Sequence, residues 1–519
     1  MDRKNRNDSG RFLMSEFSKP LGGAIVTQLF SLFFMVVLLS THAMCQWPDT
    51  PPAKYDPDWM SIRRHPVPMW FNDAKLGIFV HWGLYSVPAW APTLGKGRKP
   101  VSWEFPMQEI DRAQFSADPT LWFKNNPYAE WYLNTMKIQD SPTWKHHVET
   151  YGANFDYLQF IATFDREVQK WKPEEWAELF KEAGARYVVL TTKHHDGFTL
   201  WPSSVPNPHR QPDQQGARRD IVGDLTKAVR ARGLKMGLYY SGGLDWSFEG
   251  TPIRTFEDLM RDVPQSEEFA RYADAHWREL IERYQPSVLW DDISYPKKGD
   301  VLHLFAEYYN RVPEGVINDR FQVEHADYTT PEYAKYDKIV EKKWESCRGL
   351  GFSFGYNQNE GPEQVLPPDE LVRMLVDIVS KNGNLLLNVG PRADGTIPEI
   401  QVDRLRALGQ WLRMNGEAIY ETRPWVRSEG KTRDGVGIRF TQKGNTAYAI
   451  LMDKPKAREI TIEDLWPADG TTIEMLGDGG ELKWSRNGRD LNLTLPEHLP
   501  GSYAYALKIT PKPWKLVRE

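Results

Sequence analysis

The chemistry this chain offers starts with acids placed against short apolar runs. In Tyr284-Gln285-Pro286-Ser287-Val288-Leu289-Trp290-Asp291-Asp292-Ile293, a brief apolar stretch stops at an aromatic and two carboxylates. Pro286 before it and the acids after it leave no room for a helix. Ser287 to Trp290 is therefore predicted as a buried strand that carries Asp291 or Asp292 to a rim. In barrels built from repeated strands and helices, chemistry sits where the strands end. A lone Asp at such a junction more often caps a turn. A second acid in a similar setting, within Lys343-Trp344-Glu345-Ser346, tips the balance toward chemistry. Two carboxylates facing each other across a pocket are the minimum equipment for glycoside hydrolysis. One protonates the leaving oxygen while the other attacks the anomeric carbon or activates water.

Other polar residues stand at comparable junctions. His81 closes the run from Leu76 to Trp82, and Lys193-His194-His195-Asp196 follows the buried run Tyr187 to Leu190. Adjacent histidines on an extended strand point to opposite faces, and no His, Asp or Glu at ligand spacing accompanies them. No metal site is expected. Of Tyr239 and Tyr240, alternation lets only one face a barrel axis. Arg320 ends the run Val316 to Asp319, where a fixed cation can hold sugar oxygens or orient a carboxylate. Cys347 has no Cys–His signature around it and reads as a buried structural thiol.

Helical patterns alternate with these runs and must position them. Pro173 to Gly184 has Pro in its first turn, early Glu174, Glu175 and Glu178, and Gly184 to stop it. Asp220 to Arg232 is the next helix, Ser266 caps a third that runs to Tyr284, and Asp300 opens a fourth. Pro368-Asp369-Glu370 opens another before the strand Leu385 to Val389, and a last one ends near Met414. Thr93 to Thr150 reads as an irregular insertion able to wall a substrate site. From Val436 onward, short alternating runs are punctuated by Lys443-Gly444-Asn445, Asp478-Gly479-Gly480 and Asn487-Gly488. The expected fold is α/β: a (β/α) TIM-like barrel, regular or irregular, over residues 46–420, then a C-terminal antiparallel β-sandwich domain over 421–519.

The segment from Trp70 to Pro88, with Lys75-Leu76-Gly77-Ile78-Phe79-Val80-His81-Trp82-Gly83 at its centre, resembles the first-strand signature of the family 29 glycoside hydrolases, the α-L-fucosidases. Lys193-His194-His195-Asp196-Gly197-Phe198, Tyr239-Tyr240-Ser241, Trp290-Asp291-Asp292, Asn318-Asp319-Arg320 and Trp344-Glu345 fall in that family's order. The resemblance runs from about Trp70 to about Trp425. It implies an exo-acting, retaining α-L-fucosidase that works without a cofactor through a covalent fucosyl-enzyme intermediate. By that resemblance Asp292, two residues past the strand-ending Trp, is the nucleophile, with Asp291 as runner-up. Glu345 takes the acid/base role, its pKa raised by a hydrophobic neighbour such as Trp344. His81, Glu130, Trp131, His194, His195, Tyr239, Trp290 and Arg320 bind the sugar. The chain departs from the family pattern at Asp291, where an uncharged or aromatic residue is more usual, and at Ile293, where Gly is. An inactive fucose-binding protein would need the binding residues but not the acid pair. A panel of nitrophenyl glycosides separates the third reading, an exo-glycosidase of other specificity on the same barrel.

The composition sets the outer bounds. A chain of 519 residues suggests two domains, and 26% charged residues with a net charge of -5 and no basic block exclude nucleic acid as a partner. The 21 Trp, 22 Tyr and 23 Phe suit the flat walls of a sugar cleft or a large core. Two cysteines exclude a disulfide framework. Arg3, Lys4, Arg6, Arg11 and Lys19 precede the apolar run Leu29 to Leu39. A signal peptide is expected over residues 1–45, leaving a secreted or periplasmic enzyme with no stable membrane contact. An uncleaved anchor competes, because Gly22 to Leu39 is almost long enough to span a bilayer. The expected partner is a fucosylated oligosaccharide or glycoconjugate, and the oligomeric state stays open.

Overall fold

The computed structural model describes residues 54–93 and 118–513, so the expected signal segment lies outside the described residues. Seven parallel strands form one curled sheet: β1 (Leu76–Val80), β2 (Tyr187–Lys193), β3 (Lys235–Ser241), β4 (Val288–Asp292), β5 (Val316–Ile317), β6 (Trp344–Gly349) and β7 (Gly383–Val389). Their order is β5-β4-β3-β2-β1-β7-β6. Residues 327–333 span the gap between the outer strands. Tyr328 bridges Asn318 on one side, while Thr329 and Glu332 bridge Trp344 and Cys347 on the other. Pro331 inside this stave has no N–H for a ladder, which accounts for isolated bridges in place of a regular strand. The barrel is thus an irregular one.

Around it lie α1 (Pro173–Glu182), α2 (Ile221–Ala231), α3 (Glu267–Tyr284), α4 (Val301–Arg311), α5 (Pro368–Ser380) and α6 (Glu399–Asn415). Their starts follow from the capping residues. Asp220 accepts from the Gly223 N–H at 2.9 Å, Ser266 from Phe269 at 3.1 Å and Asp300 from His303 at 3.3 Å. Within the described part of the insertion after β1, Pro142–Tyr151 is a helix of 10 residues, where irregular chain was expected, with Pro at its first position and Ser141 as its cap. That Ser-Pro start is a local helix signal that the apolar periodicity did not carry.

Strand alternation sorts the barrel's two faces. Phe79, Tyr187, Val189, Tyr239, Val288, Trp290, Cys347 and Leu386 form one buried cluster inside. Ile78, Val80, Val188, Leu190, Leu238, Tyr240 and Leu289 belong to the larger core shared with the helices. Gly77 faces inward, and a Cβ there would stand 2.4 Å from the Tyr187 ring. Only glycine lets that ring cross the barrel. Beyond the barrel, antiparallel strands between Arg423 and Thr510 form a five-stranded and a three-stranded sheet around Ile438, Phe440, Leu451, Ile473, Leu491 and Leu507. No helix among the described residues is long and apolar enough to cross a membrane.

Candidate active site

The period of two along β4 separates its acids. Val288, Trp290 and Asp292 point into the barrel, and Asp291 points out against α3, where its Oδ1 accepts from Trp277 Nε1 at 3.3 Å. Burial, and then the charge of Asp292, push the Asp291 carboxyl well above the usual carboxylate range. Asp292 accepts from the Tyr239 hydroxyl at 2.9 Å and from Arg320 Nη1 at 2.9 Å. Burial opposes its charge, but Arg320, His195 and these hydrogen bonds more than offset that, and hold the carboxyl below its usual range.

Arg320 reaches Asp292 because β5 stops earlier than the sequence suggested, at Ile317 instead of Asp319. The Asn318 side chain takes both backbone groups of Asp291, accepting from its N–H at 3.1 Å and donating to its carbonyl at 2.9 Å. Asp319–Phe321 then turns as a 3₁₀ helix and carries Arg320 over the barrel mouth. Its guanidinium lies 4.6 Å from the centre of the Trp290 ring. It also donates to Glu332 Oε2 at 2.9 Å. Glu332, an acid the sequence reading did not single out, therefore shares one guanidinium with Asp292. Burial raises the Glu332 carboxyl above its usual range against the pull of Arg320, and Asp292 adds to the rise.

Glu345 does not reach this cavity, which corrects the acid/base assignment made from sequence. It is the second residue of β6, at the entry end of a parallel strand, whereas the active rim lies at the exit end. It is fully buried and accepts from Trp290 Nε1 at 3.0 Å and from the Tyr187 hydroxyl. Burial does push its carboxyl up, to about 7. Its partner is the inward face of the barrel, however, and the Trp290 indole lines the cavity in its place.

The remaining sequence candidates meet at the rim. A cavity of about 450 Å³ is lined by His81, Glu130, Trp131, His194, His195, Tyr239, Trp290, Asp292 and Arg320, together with Glu332, Cys347 and Phe354. Glu130 sits in a 3₁₀ turn and accepts from the Gly355 N–H at 2.7 Å and Ser353 Oγ at 3.1 Å, with burial pushing its carboxyl up to about 7. The Trp131 ring packs edge-on against His195 at 5.4 Å. Burial holds the imidazoles of His81 and His195 down, to about 3 and about 4, so both are neutral.

Their tautomers follow from the neighbours. Asn388 Nδ2 donates to the Phe354 carbonyl, so its Oδ1 must accept from His81 Nδ1, 2.7 Å away. The Ser241 hydroxyl donates to the Leu244 carbonyl and accepts from His195 Nδ1 at 2.6 Å. Both rings then carry a free lone pair on Nε2. His194 Nδ1 is buried without a partner among the described residues. Burial raises the Cys347 thiol well above its usual value, which leaves it protonated beneath Arg320. Among the described residues no group of three His, Cys, Asp or Glu could hold a metal ion.

Against known families, residues 43–417 match the alpha-L-fucosidase domain and residues 433–510 its C-terminal domain. The chain belongs to the α-L-fucosidase family. It is 33% identical over 479 residues to human tissue alpha-L-fucosidase, covering 89% of this chain and 92% of that protein. It is 31% identical to the alpha-L-fucosidase of Dictyostelium discoideum, over 92% and 98% of the two chains. Among solved structures, Thermotoga maritima alpha-fucosidase in complex with fucose aligns with a TM-score of 0.78 at 47% identity, over 88% of this chain and 100% of that one. The enzyme is accordingly a glycoside hydrolase, in keeping with paired carboxylates at the rim of a barrel.

Proposed function

We propose that the enzyme releases α-L-fucose from fucosylated oligosaccharides or glycoconjugates by double displacement, with Asp292 as nucleophile and Glu332 as acid/base. The observation that carries this reading is the shared guanidinium. Arg320 binds both carboxyls, while their surroundings drive Asp292 below and Glu332 above the usual range. One acid is then ionised and the other protonated at the same pH, which is the division of labour that glycoside hydrolysis needs.

Fucose is a deoxy sugar, with ring hydroxyls and one methyl group. Neutral His81 and His195 offer Nε2 lone pairs to hydroxyl donors, and Phe79, Trp290 and Phe354 offer apolar surface to the methyl and the C–H face. In the first step an Asp292 oxygen bonds to the anomeric carbon, the bond to the leaving oxygen breaks, and Glu332 gives that oxygen its proton. In the second, Glu332 takes a proton from water, the water oxygen bonds to the anomeric carbon, and Asp292 is released. Two inversions give net retention. Proton NMR during early hydrolysis should show α-fucose first, with the β anomer growing only by mutarotation. Appearance of the β anomer first would mean a single displacement by water and would remove the nucleophile role from Asp292.

A further inference from the structure

Glu345 has no place in that chemistry, yet it is a fully buried acid tied to the floor of the site. Groups from several elements face it: the Tyr187 hydroxyl from β2, Trp290 Nε1 from β4, the Arg320 guanidinium, Tyr328 from the irregular stave, the Cys347 thiol on its own strand, and the buried Lys343 just before that strand. Two of these donate to its two oxygens, so the carboxyl spans the barrel from β2 to β4. Gly77 clears the path for the Tyr187 ring. An unpaired carboxyl here would carry a heavy desolvation cost, so the arrangement is one the barrel interior is built around.

The consequence runs upward through Trp290. Its indole is held from below by Glu345 and packs against Tyr239 at 5.5 Å and Phe79 at 4.9 Å, leaving its upper face to the Arg320 guanidinium. That guanidinium in turn holds both Asp292 and Glu332. We propose that Glu345 is a positioning residue: by anchoring the Trp290 N–H it fixes the platform on which Arg320 orients the two reacting carboxyls. This inference rests on the roles proposed above for Asp292 and Glu332.

The test uses the full-length enzyme and compares Glu345→Gln with Glu345→Leu. Gln keeps an oxygen for Trp290, and the Tyr187 hydroxyl can then turn to Asn384 Oδ1, which is buried without a partner among the described residues. Leu removes the acceptor and strands the indole N–H. The pH dependence of kcat/KM is measured for both on an aryl α-L-fucoside. Glu345→Leu should lose about tenfold or more in kcat/KM. Its acid limb should also move up by about half a pH unit as Arg320 loses its seat. Glu345→Gln should stay close to wild type in both respects.

If Glu345→Leu lowers activity with its limbs unmoved, the residue only supports the fold and the inference falls. If Glu345→Gln is as impaired as Glu345→Leu, the proton matters more than the acceptor and the inference also falls. Should Glu345→Leu not fold, Trp290→Phe breaks the same hydrogen bond and must shift the acid limb in the same direction. An unmoved limb there counts against the inference. A Glu332→Ala enzyme that keeps the basic limb would instead overturn the acid/base reading on which the inference stands.

Discussion

Replacing Arg320 with Met tests how the site divides its protons. The Arg320–Asp292 contact is 2.9 Å, between side chains 20% and 12% exposed, so solvent screens it little. A guanidinium this close holds the Asp292 carboxyl down and favours its ionised form, the form the proposed nucleophile needs. Met preserves much of the apolar stem over Trp290 and removes the charge. Arg320 holds down both acids, so without it both pKa values rise. The acid limb of kcat/KM, where Asp292 as the proposed nucleophile must be ionised, should move up. The basic limb, where Glu332 must keep its proton, should also move up. The peak should fall by about 10²-fold through the lost hydrogen bonds. The assay is the pH profile of kcat/KM on 4-nitrophenyl α-L-fucoside. A lower peak with both limbs in place would show that Arg320 merely binds sugar.

Two further outcomes follow from the geometry. Asp291→Asn should retain activity and melting temperature, because Asn resembles the protonated carboxyl already facing Trp277; a collapse in kcat would mean that the charge of Asp291 matters. Ser241→Ala removes the acceptor that fixes the His195 tautomer and should raise KM about two- to tenfold with kcat little changed. Kinetic titration of both constants checks it, and a fall in kcat at constant KM would refute the binding role of His195.

Much of the fold was legible because its signals are local. The caps at Asp220, Ser266 and Asp300 and the proline at the start of α1 mark helix starts without reference to the rest of the chain. The choice between Asp291 and Asp292 was different. Both follow the same apolar run, and only the register of β4 against β3, with Tyr239 opposite Trp290 and Ser241 opposite Asp292, shows which acid faces inward.

The second acid was misplaced for a related reason. Trp344-Glu345 looks like a strand ending in an acid, but it begins a strand whose polar Glu345, Ser346 and Arg348 are all buried, so polarity did not mark the end. Glu332 was passed over because its stave contains Pro331 and pairs only through isolated bridges, leaving no period of two to notice. What brings it to the site is Arg320, a contact 12 residues away in sequence made possible by the side chain of Asn318.

We propose Glu332, and not Glu345, as the acid/base partner of Asp292. The most direct test is Glu332→Ala assayed on fucosides of graded leaving-group ability, with and without azide. A good leaving group scarcely needs a proton, so activated aryl fucosides should suffer far less than poor leaving groups. Azide needs no general base and should restore turnover by intercepting the covalent intermediate as α-fucosyl azide. If Glu332→Ala slows all substrates equally and azide fails to rescue it, while Glu345→Ala shows the leaving-group dependence and the azide product, the acid/base role belongs to Glu345 and not to Glu332.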